Sequence, residues 1–174
     1  MLRSGSIRAD LPIGEHIIKF LDIYKYSDLE NVATGEDSSY WRLSAFYHDE
    51  HLANSFREFI SRSGFKLKPN GKIRFEVHRA NCPKNSEFVK FPVDPHVDDN
   101  EEMNPITCLF YRGVFTGGEL EVYTVRPNLY TFDLSNGDKN SLKYVILRGD
   151  LLHHVHNLYE GHREVFAVRA EREN

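Results

Sequence analysis

Two short segments of this 174-residue sequence carry side chains that could bind a metal ion. His96 and Asp98 stand two residues apart, and in an extended strand such residues point to the same face. A run of histidines follows later in the chain, at His153, His154 and His156. If paired strands bring one of these beside the first two residues, two imidazoles and one carboxylate would surround a metal with its other positions open. That donor set suits Fe(II) and leaves coordination positions free for reacting molecules.

An arginine further along the chain could bind an anionic ligand. Apolar and polar residues alternate after it, so Arg163, Val165 and Ala167 share one strand face. An unpaired charge on a buried face costs several kcal/mol, so Arg163 either lies in water at the strand end or meets an anion. A guanidinium grips a carboxylate through two parallel hydrogen bonds. The anion could be a surface Asp or Glu or a bound ligand, and the residues alone favour neither.

Each pattern also has a structural explanation. His-x-Asp recurs by chance, and the histidine run alone fits a half-exposed strand end. His78 lies on a predicted strand. The other histidines are typical surface residues: His16, His48, His51 and His162.

Short strands must position these residues. Runs rich in Val, Ile, Phe, Tyr and Thr, separated by turn signals, predict seven strands. They lie near 72–79, 88–93, 106–112, 119–125, 143–148, 151–156 and 163–170. Apolar residues at helical spacing predict two N-terminal helices that back a sheet, at about 13–24 and 52–60. The fold class is mainly β with N-terminal helices (α+β), in a sandwich, barrel or jelly roll. The polar stretch 125–143 is expected to be an exposed insertion or lid.

Length and composition predict one globular domain over residues 1–174, with 40% hydrophobic residues. The net charge of −4 and the scattered basic residues disfavour a general nucleic-acid binder. Cys82 and Cys108 are expected to be free thiols in a reducing compartment. No apolar run is long enough for a membrane helix and no signal pattern opens the chain, which together predict a cytoplasmic protein without a membrane partner.

The order of the motifs resembles the Fe(II)- and 2-oxoglutarate-dependent dioxygenases, particularly the prolyl-4-hydroxylase-like group. The matching segments are His96-Val97-Asp98, Ile106 to Tyr111, Gly117 to Leu120, His153-His154-Val155 and Gly161-His162-Arg163. They span about residues 74–170. The resemblance implies a double-stranded β-helix (jelly roll) core over about 68–171, with helical support over about 10–64.

The resemblance also implies the roles of five residues. His96, Asp98 and His153 correspond to the iron ligands, which are the catalytic and metal-binding residues of such enzymes. Arg163 corresponds to the partner of the distal carboxylate of 2-oxoglutarate, and Tyr111 to a tyrosine that assists it. Ordinary strand packing is the alternative for Tyr111. The implied cofactors are Fe(II), 2-oxoglutarate as co-substrate and dioxygen, with ascorbate as an optional addition.

The choice among the three histidines depends on spacing. The family's arginine comes ten positions after the histidine, which selects His153 relative to Arg163. Some relatives have an interval one residue shorter, which would select His154, and His156 is a third choice. One departure concerns Val165, because many family members have Ser or Thr at that position.

The resemblance implies hydroxylation of a C–H bond with release of succinate and CO₂. It favours a prolyl or other residue of a peptide or protein as the substrate, with a free amino acid or small metabolite as the alternative. Two other classes remain: a non-catalytic β-sandwich module that binds a metal or none, and a cupin-type enzyme that uses no 2-oxo acid. Neither of these would need Arg163 for a ligand. The oligomeric state is not predicted.

Overall fold

The computed structural model describes residues 2–23, 30–31, 40–45, 50–82, 93–99, 103–124 and 128–173. The described helices are α1 (Pro12–Ile23) and α2 (Glu50–Arg62). The first six strands are β1 (Leu2–Arg8), β2 (Glu30–Asn31), β3 (Tyr40–Ala45), β4 (Ile73–Cys82), β5 (Val93–His96) and β6 (Pro105–Arg112). The other six are β7 (Phe115–Gly117), β8 (Leu120–Tyr123), β9 (Leu129–Phe132), β10 (Ser141–Arg148), β11 (His153–Val155) and β12 (Leu158–Glu171).

The described strands form two antiparallel sheets. The major sheet has the order β1-β10-β6-β12-β4-β3-β2, and β7 pairs with the first part of β12. The minor sheet has the order β5-β11-β8-β9. Most strands adjacent in a sheet are far apart in sequence, such as β1 and β10 or β12 and β4, whereas β2-β3-β4 and β8-β9 are consecutive. Such long-range pairing occurs in a jelly roll, where the chain crosses repeatedly between two sheets.

Among the residues that the structure describes, two apolar cores lie between three layers: the helices, the major sheet and the minor sheet. On one face of the major sheet, Phe166 and Val168 of β12 pack with Phe56 and Ile60 of α2. On the other face, Val165 and Ala167 pack with residues of the minor sheet, including Val122. The alternation along β12 therefore sends successive side chains to the helical layer and to the space between the sheets. Any functional residue on the inner face of β12 points toward the minor sheet.

The predicted fold class and the two helices that back a sheet are confirmed. Six of the seven predicted strands match β4, β6, β8, β10, β11 and β12 within a few residues, except that β12 starts earlier, at Leu158. The seventh, predicted near 88–93, lies outside the described residues except for Val93, which begins β5. The assignment of the whole chain to one domain stays a prediction.

Five strands were not predicted: β1, β2, β3, β7 and β9. Two of them, β1 and β9, lie at sheet edges. β1 forms in the polar start of the chain, and β9 forms within the stretch 125–143 that was expected to be an insertion or lid. The side chains of both strands are mostly exposed, so neither shows the apolar alternation by which a strand is recognised.

Both cysteines are buried and neither forms a disulfide. None of the helices described is long and apolar enough to span a membrane.

Candidate metal centre

Strand pairing brings two histidines together at the edge of the minor sheet. His153 of β11 is the direct antiparallel partner of His96 of β5, and their ring centroids lie 4.3 Å apart. The pairing slips between His153 and Val155, a bulge of the kind that often re-aims side chains beside functional sites. Pro95 is tolerated in β5 because this strand lies at the sheet edge.

Asp98 completes the cluster from beyond the end of β5. The two His Nε2 atoms each lie 3.8 Å from an Asp98 carboxylate oxygen, His96 from Oδ1 and His153 from Oδ2. One ligand atom from each residue lies within 4.8 Å of the other two. The expectation that His96 and Asp98 share a strand face is wrong, because the strand stops at His96. The chain then bends, and the Asp98 backbone N–H donates to the carbonyl of Gly149 at 2.8 Å.

Each histidine is oriented by its own backbone neighbourhood. Nδ1 of His96 lies 2.8 Å from the Asp94 carbonyl, and Nδ1 of His153 lies 2.9 Å from the Leu151 carbonyl. A carbonyl oxygen only accepts, so each Nδ1 carries the proton and donates it. In the neutral form of each ring, Nε2 then carries the lone pair and points at Asp98, which is the tautomer that a metal requires.

Two side chains of the major sheet, the buried Thr107 and the half-buried Arg169, hold the Asp98 carboxylate. Arg169 Nη2 donates to Oδ1 at 2.9 Å, and Thr107 Oγ1 donates to Oδ2 at 2.6 Å. Thr107 and Arg169 are direct partners on the neighbouring strands β6 and β12, so one cross-strand pair grips both oxygens. Arg169 also forms a 2.5 Å ion pair with Glu76 of β4.

Thr107, Arg169 and Glu76 were missed in the sequence. The alternation that placed Arg163 on an inner face continues to Arg169, so a second charged residue on that face was the available signal. Nothing local to Thr107 or Glu76 distinguishes them from other strand residues, because their role comes from the register of three strands.

The electrostatics favour the protonation states that bind a metal. Burial alone would raise the pKa of Asp98, but the charges of Arg169 and His153 and the two hydrogen bonds lower it below its usual value. Burial lowers the pKa of His153 and outweighs the opposing effect of the Asp98 charge. An ionised carboxylate and a neutral imidazole are therefore present at neutral pH. The His96 side chain is 37% exposed, so the cluster is open to solvent on one side.

Arg163 and Tyr111 lie on the inner face of the major sheet. Arg163 is only 3% exposed, and its Nη1 lies 3.4 Å from the carbonyl of Gly118. A Cβ at Gly118 would come within 2.8 Å of that Nη1, and φ is +67° there, so the guanidinium position depends on glycine. Tyr111 is 1% exposed and pairs directly with Val165, two residues from Arg163 along β12. The inner face of β12 thus carries Arg163 near one end and Arg169 near the other.

The other histidines lie outside this cluster. His154 points to the opposite face of β11 from His153 and lies beside Glu121, as does His156. His78 is half-buried on β4 and its Nε2 lies 3.0 Å from Glu76. His51 is exposed, His16 and His162 are half-buried, and His48 lies outside the described residues.

Comparisons with known proteins are informative at the level of fold. No protein-family model matches the sequence, and no curated protein matches it. An oxidoreductase of the 2OG-Fe(II) oxygenase family from Burkholderia pseudomallei superposes with a TM-score of 0.66 at 15% identity, covering 98% of this chain and 86% of that one. A prolyl-4-hydroxylase from Pseudomonas putida gives 0.60 at 10% identity, covering 98% and 93%. IDO from Bacillus thuringiensis gives 0.56 at 14% identity, covering 98% and 90%. The resemblance predicted from the motifs is therefore confirmed for the fold, which is that of 2OG-Fe(II) oxygenase structures.

Proposed function

We propose that this protein is an Fe(II)- and 2-oxoglutarate-dependent dioxygenase in which His96, Asp98 and His153 hold the iron. The observation that carries the proposal is the donor set itself: two imidazole Nε2 atoms and one ionised carboxylate, within 4.8 Å of one another. Two histidines and a carboxylate on one side of a metal form the facial triad of non-haem Fe(II) oxygenases. The shared fold supports the same class of enzyme.

The chain supplies positioning and charge. Thr107 and Arg169 hold the carboxylate of Asp98 in place, and the backbone carbonyls at Nδ1 hold the two imidazole rings. Fe(II) with 2-oxoglutarate and dioxygen supplies the chemistry: oxidative decarboxylation to succinate and CO₂, coupled to hydroxylation of a substrate C–H bond. Orientation of this kind is what outer partners of metal ligands contribute, and their loss costs roughly 10- to 100-fold in affinity or activity.

Arg163 and Tyr111 are the proposed partners of the distal carboxylate of 2-oxoglutarate. Arg163 is buried on the face of β12 that looks toward the minor sheet, so a carboxylate bound between the two sheets would lie within reach of its guanidinium. A guanidinium presents its donors in a planar fork that matches a carboxylate. Tyr111 lies one strand away and adds a phenolic hydroxyl from the same face. Val165 offers no hydroxyl, so the contact made by the Ser or Thr of many relatives is missing at this position.

For the substrate, we propose a prolyl or other residue of a peptide or protein. The support is the motif resemblance and the fold shared with the Pseudomonas putida prolyl-4-hydroxylase. A free amino acid or small metabolite is the second candidate. Proline-containing peptides and free amino acids, compared at equal concentration, separate the two: a mass increase of one oxygen on the peptide alone supports the first.

The reaction class is tested by succinate formation from 2-oxoglutarate in air, with Fe(II) and with or without ascorbate. His153→Ala should abolish turnover, whereas His154→Ala should retain most of it, because His154 lies on the opposite face of the same strand. Equal loss in both variants, or loss only with His154→Ala, would refute the ligand assignment. Iron binding without any use of 2-oxoglutarate would favour a cupin-type enzyme, and no iron binding would favour a binding module.

A further inference from the structure

A second cluster of metal-binding side chains lies on the outer face of the minor sheet. Glu121 of β8 is the direct cross-strand partner of His154 of β11, and His156 follows two residues later on the same side. One ligand atom from each of the three residues lies within 4.8 Å of the other two. Since His153 and His154 are consecutive in a strand, this cluster and the triad lie on opposite faces of the sheet.

The distances suit a shared ion. His154 Nε2 lies 3.4 Å and His156 Nε2 lies 2.7 Å from the Glu121 carboxylate, and the two rings have centroids 4.5 Å apart. Ligand bonds of about 2.0–2.1 Å in a tetrahedral site place the ligand atoms about 3.3 Å apart. The separation of His154 from Glu121 is already close to this value, and that of His156 needs only a small rotation of its half-exposed side chain.

Tyr123 orients two of these residues. Its hydroxyl lies 3.1 Å from Glu121 Oε2 and 3.3 Å from Nδ1 of His154, on the same face of the sheet. With Nδ1 engaged by the tyrosine, Nε2 of His154 is the nitrogen directed at the carboxylate. Outer hydrogen-bond partners that fix the ring in this way are typical of histidine ligands.

We propose that Glu121, His154 and His156 form a second metal site, which binds a divalent transition ion such as Zn²⁺ with water at the fourth position. Two imidazoles and one carboxylate are a common Zn²⁺ ligand set, and the triad on the other face is separate from it. The ion ties β11 to β8, and β11 is the strand that carries His153. The site therefore stabilises β11, the strand that carries His153, from the outer face of the minor sheet.

The test is Zn²⁺ stoichiometry of the purified full chain, measured by equilibrium dialysis and elemental analysis. We expect two ions in the wild type, one in His156→Ala, one in His96→Ala and none in the double variant. His156→Ala should weaken Zn²⁺ binding at this site by at least about 100-fold, because a ligand is worth more than the outer partners whose loss costs 10- to 100-fold. His51→Ala, at an exposed helical histidine, is the matched control and should still bind two.

Two further measurements keep the two sites apart. Co²⁺ in a four-coordinate site absorbs strongly in the visible region and six-coordinate Co²⁺ absorbs weakly, so the strong band should vanish in His156→Ala and persist in His96→Ala. Zn²⁺ should raise the Tm of His96→Ala but not that of the double variant. One ion in the wild type that His156→Ala leaves in place would overturn this proposal. If the wild type binds one ion, and that ion is lost in His156→Ala but kept in His96→Ala, the proposed function is overturned and the second site is supported.

Discussion

The hydrogen bond from Thr107 to Asp98 gives the sharpest test of how the metal centre is held. Thr107 is fully buried, and its hydroxyl donates to Oδ2 of Asp98 at 2.6 Å. Thr107→Val keeps the shape of the side chain and removes the donor. A hydrogen bond to a charged group contributes about 1.5–3 kcal/mol. Without the Thr107 hydrogen bond, the Asp98 carboxylate is free to rotate away from the position that binds the metal. Part of the binding free energy is then needed to rotate it back.

The expected loss of Fe(II) affinity is therefore about 10- to 100-fold, since each 1.4 kcal/mol corresponds to a factor of ten. Thr107→Ser is the matched control, because it keeps the hydroxyl and removes only a methyl group. Removing that buried methyl costs roughly 1 kcal/mol of stability. We expect the serine variant to be less stable than the wild type but to bind Fe(II) within about threefold of its affinity, a difference smaller than one hydrogen bond contributes.

Fe(II) affinity is measured by anaerobic titration in an isothermal calorimeter. Thermal unfolding of the metal-free proteins measures the stability of each variant. If the packing of the Thr107 side chain mattered and its hydrogen bond did not, Thr107→Val and Thr107→Ser would lose Fe(II) affinity equally. That result would refute the role given to the hydrogen bond. Wild-type affinity in Thr107→Val would refute it as well, because the carboxylate would then be held without this donor.

Three other perturbations test neighbouring contacts. Arg169→Met should lower the free energy of unfolding by about 3–5 kcal/mol, as breaking a buried ion pair does, and should also weaken Fe(II) binding. Arg79→Met is its control: it breaks the buried 2.7 Å pair with Glu164, so chemical denaturation should show lower stability while Fe(II) affinity stays unchanged. Gly118→Ala should raise the KM for 2-oxoglutarate without changing Fe(II) affinity, because its Cβ would press on Arg163; an unchanged KM would count against Arg163. Burial alone would raise the pKa of Glu164, but hydrogen bonds and nearby arginine charges lower it from 4.5 to about 2. Its stabilising contribution, up to about 3 kcal/mol at 1.36 kcal/mol per pKa unit, is thus present above pH 4.5 and is lost as the pH falls toward 2. Denaturation curves of wild type and Glu164→Gln should converge over that range, and a constant gap would contradict the assignment.

The inner strands of the fold were predictable because their side chains are buried on one or both faces. β6, β10 and β12 carry Val, Ile, Leu and Phe in runs that only a strand between two layers would bury. The edge strands β1 and β9 lack this pattern because water covers most of their side chains. Their pairing depends on backbone hydrogen bonds to neighbours, which leave no mark in the local sequence.

The residues of the metal cluster could be proposed from type and spacing, but not the way they converge. Strand geometry alone suggested that His96 and Asp98 lie on one face, whereas a bend after His96 brings them together. The partnership of Thr107 and Arg169 with Asp98 depends on the register of β6 against β12. That register is set by packing of the whole sheet, so no local motif reports it.

The central claim is that His96, Asp98 and His153 hold Fe(II) beside a 2-oxoglutarate site formed by Arg163. Its most direct test is an anaerobic titration of the protein with Fe(II) and then with 2-oxoglutarate, monitored by visible absorption spectroscopy. Chelation of ferrous iron by a 2-oxo acid gives a charge-transfer band, which should appear in the wild type and in His154→Ala, require more 2-oxoglutarate in Arg163→Ala and be absent in His153→Ala. Bound iron without the band in the wild type, or an unchanged band in His153→Ala, would contradict the account.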